Sequence, residues 1–218
     1  MRFLNLLRPL IASVAFMAAA AGASAADFKD GLDYNSVSGP RPDTGKKVEV
    51  LEFFMYHCPH CNVLDPLLTD WLKKNSDKVV FRRMHMGDDA QAHAFYTLEA
   101  LNITHLHEKI FHAIHVDRNR LNTDQALLDF VVKNGVDKAK YQAAFNSFGV
   151  QTKLKRAQQV AAQYKLDSVP ALVIDGRYTT SPAVAGHGLS SPADAHKAMF
   201  AVVDSLVAKS LQERAAKK

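Results

Sequence analysis

The stretch Val48-Glu49-Val50-Leu51-Glu52-Phe53-Phe54-Met55-Tyr56-His57-Cys58-Pro59-His60-Cys61 decides the reading of this chain. Val48–Phe54 is a near-continuous apolar run, as expected of a strand buried on both faces. Beyond it Val63, Leu64, Leu67, Leu68, Trp71 and Leu72 recur at helical spacing, which predicts a helix from about Cys58 to Lys74. A cysteine pair therefore sits where a strand turns into a helix. Cys58 and Cys61 are the only two cysteines in the chain. Two cysteines cannot build a framework of disulfides or a four-thiolate zinc site, so a dithiol that opens and closes is the leading reading. Half of a metal site, completed by His57 or His60, and an inert disulfide remain as alternatives. No second ligand pair has zinc-like spacing.

A helix start changes what a sulfur can do. The first backbone N–H groups of a helix have no partner within it, and the aligned peptide dipoles leave partial positive charge there. A thiolate at Cys58 gains from both, so its pKa is expected to fall. Pro59 suits the first helical position, where its missing N–H costs nothing. Cys61, one turn on, is within disulfide reach and more shielded. His60 offers a donor or a positive charge beside the sulfur, and His57 is a weaker candidate on the other side. Each pKa unit is worth about 1.4 kcal/mol, or about 30 mV for a two-electron couple. A favoured thiolate therefore makes the disulfide easier to reduce, and the oxidised protein an oxidant of other thiols.

The N-terminus bears independently on compartment. Arg2 and Arg8 precede an uncharged run from Pro9 to Ala26, apolar through Leu10–Met17, and Ala23-Ser24-Ala25 is a small-x-small cleavage pattern. Residues 1–25 read as a cleaved export signal of bacterial type, too short in its apolar part for the ~20 residues of a membrane span. Export to the periplasm, where disulfides persist, is expected. The mature chain would keep 193 of the 218 residues, and losing Arg2 and Arg8 lowers the formal charge from +5 to +3. That is too weak to argue for nucleic acid. The Lys- and Arg-rich tail reads as a solvated helix end.

Along the chain, Asp27–Lys47 reads as an extended arm with a short strand near Tyr34–Val37. Lys78–Met84 is a second core strand, parallel to the first through a helical crossover. Pro66 is expected to bend the first helix. Helical signals then replace strand signals at Ala90–Leu101, His105–Ile114, Thr123–Asn134 and Lys138–Asn146, with Gly135 and Gly149 as stops. A helix over about Gln151–Tyr164 leads to Ala171–Ile174, an Asp175-Gly176 hairpin signal, and a second short strand. Ser191 is the expected cap of a last helix reaching about Leu211. The order is β-α-β, helical block, α-β-β-α.

Leu51-Glu52-Phe53-Phe54 followed by Cys58-Pro59-His60-Cys61, together with Ser168-Val169-Pro170-Ala171-Leu172-Val173-Ile174-Asp175-Gly176-Arg177-Tyr178, resembles the DsbA family of bacterial disulfide oxidoreductases, within the thioredoxin superfamily. The resemblance covers the whole mature chain. It implies an α/β class, a thioredoxin-like fold with an inserted all-helical domain. The expected division is 1–25 signal, 26–87 with 151–218 thioredoxin-like, and 88–150 helical.

The resemblance carries further expectations. By itself Val169-Pro170 reads as an ordinary trans proline opening a strand. In the family the loop facing the dithiol ends in a cis-proline, which implies that Val169 presents its backbone beside Cys58 to a substrate strand. Glu52 matches a family acid. A carboxylate in an apolar strand should have a raised pKa and can exchange a proton with Cys61; the alternative is a strand-edge side chain reaching water. Arg83 falls near the family's basic partner for that acid, or is a plain surface residue. His93, His105, His107, His112 and His115 fit no tight metal motif and read as solvated or capping. Phe54, Met55 and Tyr56 are candidates for a peptide-binding surface, with Phe53 and Phe54 also readable as core. The activity implied is a monomeric oxidase of reduced, unfolded exported proteins, acting through a mixed disulfide at Cys58. A DsbB-like quinone-linked membrane protein would reoxidise it. No metal, bound cofactor or nucleic acid is expected.

Overall fold

The computed structural model describes residues 27–216. The expected export signal lies outside the described residues. The strands are β1 (Asn35–Ser36), β2 (Val48–Phe54), β3 (Val79–His85), β4 (Ala171–Ile174) and β5 (Tyr178–Thr180), in one sheet of order β1-β5-β4-β2-β3. β2 pairs parallel with β3, from Val48 opposite Val79 to Phe54 opposite His85. It pairs antiparallel with β4, Phe53 lying opposite Ala171.

The helices are α1 (Pro59–Asn75), α2 (Ala90–Ala100), α3 (His107–His115, after a 3₁₀ turn at Thr104–Leu106), α4 (Asp124–Lys133), α5 (Lys138–Phe145), α6 (Phe148–Gln163), α7 (Pro182–Ala185) and α8 (Pro192–Ala216). None of them is long and apolar enough to cross a membrane. α1 continues through Pro66.

β2 is buried along its whole length, and alternation along the strand explains how. Val48 and Val50 pack with Leu64, Leu68 and Trp71 of α1 and with Met199, Val202 and Val203 of α8. Leu51 and Phe53 face the other way, onto Val160, Ala161 and Tyr164. Glu52 falls on the α1 side, between Val50 and Phe54. Phe54 itself joins the core of the helical block, with Phe95, Ile110 and Phe111.

α6 serves both units. Val150, Leu154 and Ala157 pack into the helical block, while Val160 and Ala161 cover the sheet. The expected division after Val150 therefore falls inside one helix. Gly149, expected as a stop, lies in the first turn of α6: Ser147 caps that helix by accepting the Val150 N–H at 3.3 Å. Gly135, at φ +87°, does follow the end of α4. α8 runs past the expected Leu211 to Ala216, and its last turn has partners to reach. Arg214 is bonded to Asp175, and Glu213 accepts from Tyr178 Oη at 3.1 Å.

Candidate active site

The local sequence places the dithiol. Cys58 leaves β2 in an extended conformation, φ −78° and ψ 116°, and is the N-cap of α1, with Pro59 at the first helical position. Its sulfur accepts the Cys61 backbone N–H at 3.4 Å, as a capping hydroxyl would. Cys58 is half-buried, Cys61 fully buried, and both are free thiols in this structure. Across from them the Val169-Pro170 peptide is cis, and the Val169 carbonyl oxygen lies 3.6 Å from Cys58 Sγ. Pro59 and His60 are exposed at the helix start.

The two sulfurs titrate apart. Cys58 falls from an ordinary 9.0 to about 5, chiefly because the Cys61 thiol donates to it, with the Cys61 and His60 backbone N–H groups and the His60 charge adding to the effect against partial burial. Cys61 moves the other way, because its thiol is the donor and it is buried. The helix-start argument is therefore only part of the cause, and the partner thiol is the larger part. His57 turns away, with its Nδ1 3.2 Å from Gln91 Oε1.

Beneath the dithiol lies a chain of buried polar groups. Glu52 is 2% exposed. Its Oε2 accepts from Arg83 Nε at 2.9 Å, and Arg83 Nη2 donates to Asp65 Oδ1 at 2.9 Å. The rings of Phe54 and Phe81 lie 5.7 and 5.0 Å from the guanidinium carbon. Burial raises the Glu52 pKa, Arg83 offsets part of the rise, and the nearby Asp65 charge adds to it. Burial works in the same direction on Asp65, but bonds from His107 and Arg83 outweigh it and hold that carboxyl low. Arg83 keeps its charge against burial because both carboxylates face it.

Tyr56, two residues before Cys58, is gripped by three histidines. Its N–H donates to His85 Nε2 at 3.1 Å, its carbonyl accepts from His115 Nε2 at 2.8 Å, and its hydroxyl is 3.0 Å from His107 Nδ1. A backbone N–H can only donate, so His85 must be neutral with its proton on Nδ1. Burial agrees, lowering His85 to about 4. Beside the dithiol opens a groove of about 420 Å³, whose walls include His60, Val169, Pro170, Pro182, His187 and Leu189. Val63 and Leu67 continue the His60 side of α1 as exposed apolar residues. Among the described residues no three His, Cys, Asp or Glu side chains stand together as a metal site.

Residues 78–199 match the family described as "DSBA-like thioredoxin domain". The thiol:disulfide interchange protein DsbA of Bordetella parapertussis is 37% identical over 206 residues, covering 92% of this chain and 95% of its own. That of Burkholderia cepacia is 39% identical over 186 residues, covering 82% and 88%. The chain belongs to the DsbA family of thiol:disulfide oxidoreductases. The crystal structure of Pseudomonas aeruginosa DsbA superposes with a TM-score of 0.76 at 29% identity, covering 88% of this chain and 98% of that one. The fold is accordingly thioredoxin-like, with the DsbA helical block set into it.

Within this DsbA-family site the geometry brings together Cys58, Pro59, His60, Cys61, Val169 and Pro170, with Glu52 beneath. Two expectations are corrected. Tyr56 is fully buried and cannot form a peptide-binding surface, and neither can Phe54, which with Phe53 takes the core place that was its other reading. His107 is buried and doubly bonded rather than solvated. Asp65 and His85 belong to the site without being among the residues the sequence marks out. Asp65 sits on the apolar stripe of α1 with Cys61, Leu64 and Leu68, and His107 on that of α3 with Ile110 and Phe111. A polar residue on a core stripe is the sequence signal for both.

Proposed function

We propose that this protein is a disulfide donor. Its Cys58–Cys61 disulfide is passed to newly exported, unfolded proteins. A substrate thiolate attacks Cys58 Sγ, forming a substrate–Cys58 bond and releasing Cys61, which takes up a proton from Glu52. The second substrate thiolate then attacks the substrate sulfur of that mixed disulfide, and Cys58 leaves as a thiolate. Two electrons pass from the substrate dithiol to the protein dithiol. The observation that carries this reading is the Cys58 sulfur held near pKa 5 while Cys61 is raised. A low-pKa leaving group favours release of oxidised substrate. Solvent at the half-exposed sulfur screens part of the effect without reversing its sign.

Pro59 and His60 shape and charge the helix start around Cys58. Val169 and the cis-Pro170 supply main-chain groups on which an extended substrate can pair, and the adjoining groove takes its side chains. Sequence-tolerant binding of this kind suits unfolded clients. The helical block, 88–150 with the first half of α6 packed into it, is an inserted unit against the dithiol-bearing unit formed by the rest of the mature chain. The working form is a monomer in the periplasm, and a DsbB-like quinone-linked membrane protein restores the disulfide. The N-terminal sequence and family membership support this placement.

The redox equilibrium with glutathione tests the direction. At pH 7 the reduced protein should dominate even where reduced glutathione is a minor fraction of the pool. A protein that stays oxidised in millimolar reduced glutathione would instead be a reductant, and the donor reading would fall.

A further inference from the structure

His107 stands where the helical block meets the dithiol-bearing unit. It opens α3 and is buried, with the rings of Phe54 and Phe111 each 5.0 Å from its own. In that apolar setting both of its nitrogens are bonded. Nε2 is 3.1 Å from Asp65 Oδ1 and Nδ1 is 3.0 Å from Tyr56 Oη. A carboxylate only accepts, so Nε2 carries the hydrogen. Burial lowers the His107 pKa and favours the neutral ring, whose bare Nδ1 accepts from the Tyr56 hydroxyl. The same Asp65 oxygen accepts from Arg83 Nη2, while Arg83 Nε serves Glu52. One guanidinium is thus divided between two carboxylates. Asp65 has a second donor in His107, whereas Arg83 is the side chain that serves Glu52 among the described residues.

We propose that His107 is a positioning residue of thiol exchange: by holding Asp65 it leaves the Arg83 guanidinium free to serve Glu52, and so sets how readily Glu52 exchanges a proton with Cys61. This rests on the role given to Glu52 above. Without the imidazole N–H, Asp65 depends on Arg83 alone. A buried carboxylate short of a donor draws the guanidinium towards itself. Glu52 then loses part of its counter-charge, and its neutral form is favoured. The titratable and charged groups facing His107 are Tyr56 after β2, Asp65 on α1, and Arg83 and His85 on β3, with Glu52 of β2 behind Arg83. His85 is held neutral by the Tyr56 N–H, which leaves the two carboxylates as the groups that respond.

The test loads Cys58 with glutathione as a mixed disulfide and follows glutathione release by Cys61 as a function of pH. In this step Cys61 attacks Cys58 Sγ, glutathione leaves as a thiolate, and the Cys61 proton passes to Glu52. His107→Leu should move the release midpoint up by about one pH unit, slowing release about tenfold below it. His107→Gln, whose amide can donate to Asp65 and accept from Tyr56, should restore most of the rate. The thiolate absorbance of Cys58 should titrate almost unchanged in both. A folded His107→Leu protein with the wild-type release profile overturns the proposal, as does a glutamine variant as slow as the leucine one. Glu52→Gln separates the two readings. If it leaves the profile unmoved, the Glu52 role fails and this proposal with it. If it moves the profile while His107→Leu does not, only the His107 role fails. Should the leucine variant not fold, long-range ¹H–¹⁵N spectra of the wild-type protein decide. The Nε2–H tautomer is expected, and the Nδ1–H tautomer, which cannot donate to Asp65, overturns it.

Discussion

At Cys58 the deciding interaction is with its own partner. The Cys61 thiol is the largest cause of the lowered pKa, ahead of the backbone groups and of the His60 charge. Cys61→Ala should therefore raise the Cys58 titration, read from thiolate absorbance near 240 nm, further than His60→Ala does. In the wild-type reduced protein the midpoint should fall near 5. If the histidine substitution moved it more than the alanine at Cys61, the thiol-to-thiolate bond would not be the main cause. His60 was legible from the motif alone, because a histidine between two cysteines at a helix start has little else to touch. The weight of Cys61 was not, because it depends on side-chain geometry that a two-residue spacer permits but does not impose.

At the scale of elements, the turn between β4 and β5 shows how local sequence and distant packing meet. Asp175 and Gly176 both adopt the left-handed region, φ +55° and +66°, as the Asp-Gly pair predicted. What the pair could not reveal is its neighbour. A Cβ at Gly176 would run into the Pro40 carbonyl oxygen and come within 3.2 Å of Pro42 Cδ. Gly176→Ala should therefore cost more than backbone strain alone, about 2–3 kcal/mol, seen as a lower denaturant midpoint at unchanged slope. A loss below about 0.5 kcal/mol would mean that the N-terminal arm yields freely. The same turn carries Asp175, fully buried and paired with Arg41 at 2.7 Å and with Arg214 of α8. Arm, hairpin and C-terminal helix are thereby closed by one carboxylate.

For the whole molecule the thiolate argument becomes a statement about stability. A folded-state pKa below the unfolded one adds stability at high pH and loses it as pH falls through the folded value. Cys58 is held near 5 in the fold against an ordinary 9.0, so the reduced protein gains stability as pH rises across that window. Above it Cys61, whose pKa is raised, works in the opposite direction. Denaturant unfolding at pH 7 should find the reduced form more stable than the oxidised one, with the difference shrinking towards pH 5. An oxidised form that is the more stable at pH 7 would mark an ordinary stabilising disulfide instead.

The sequence by itself determined the dithiol at a strand-to-helix turn, the apolar β2 that carries it, the left-handed turn of the hairpin and the order of the strands and longer helices, though not the short α7. All of these are local, written in residue periodicity, caps and turn pairs that need no knowledge of distant neighbours. Only the tertiary structure decided which polar residues would be buried together. Glu52, Asp65, Arg83 and His107 come from β2, α1, β3 and α3, and no spacing relates them. Their charges and tautomers are set by one another, because groups shut away from water must find their partners among whatever the fold brings near.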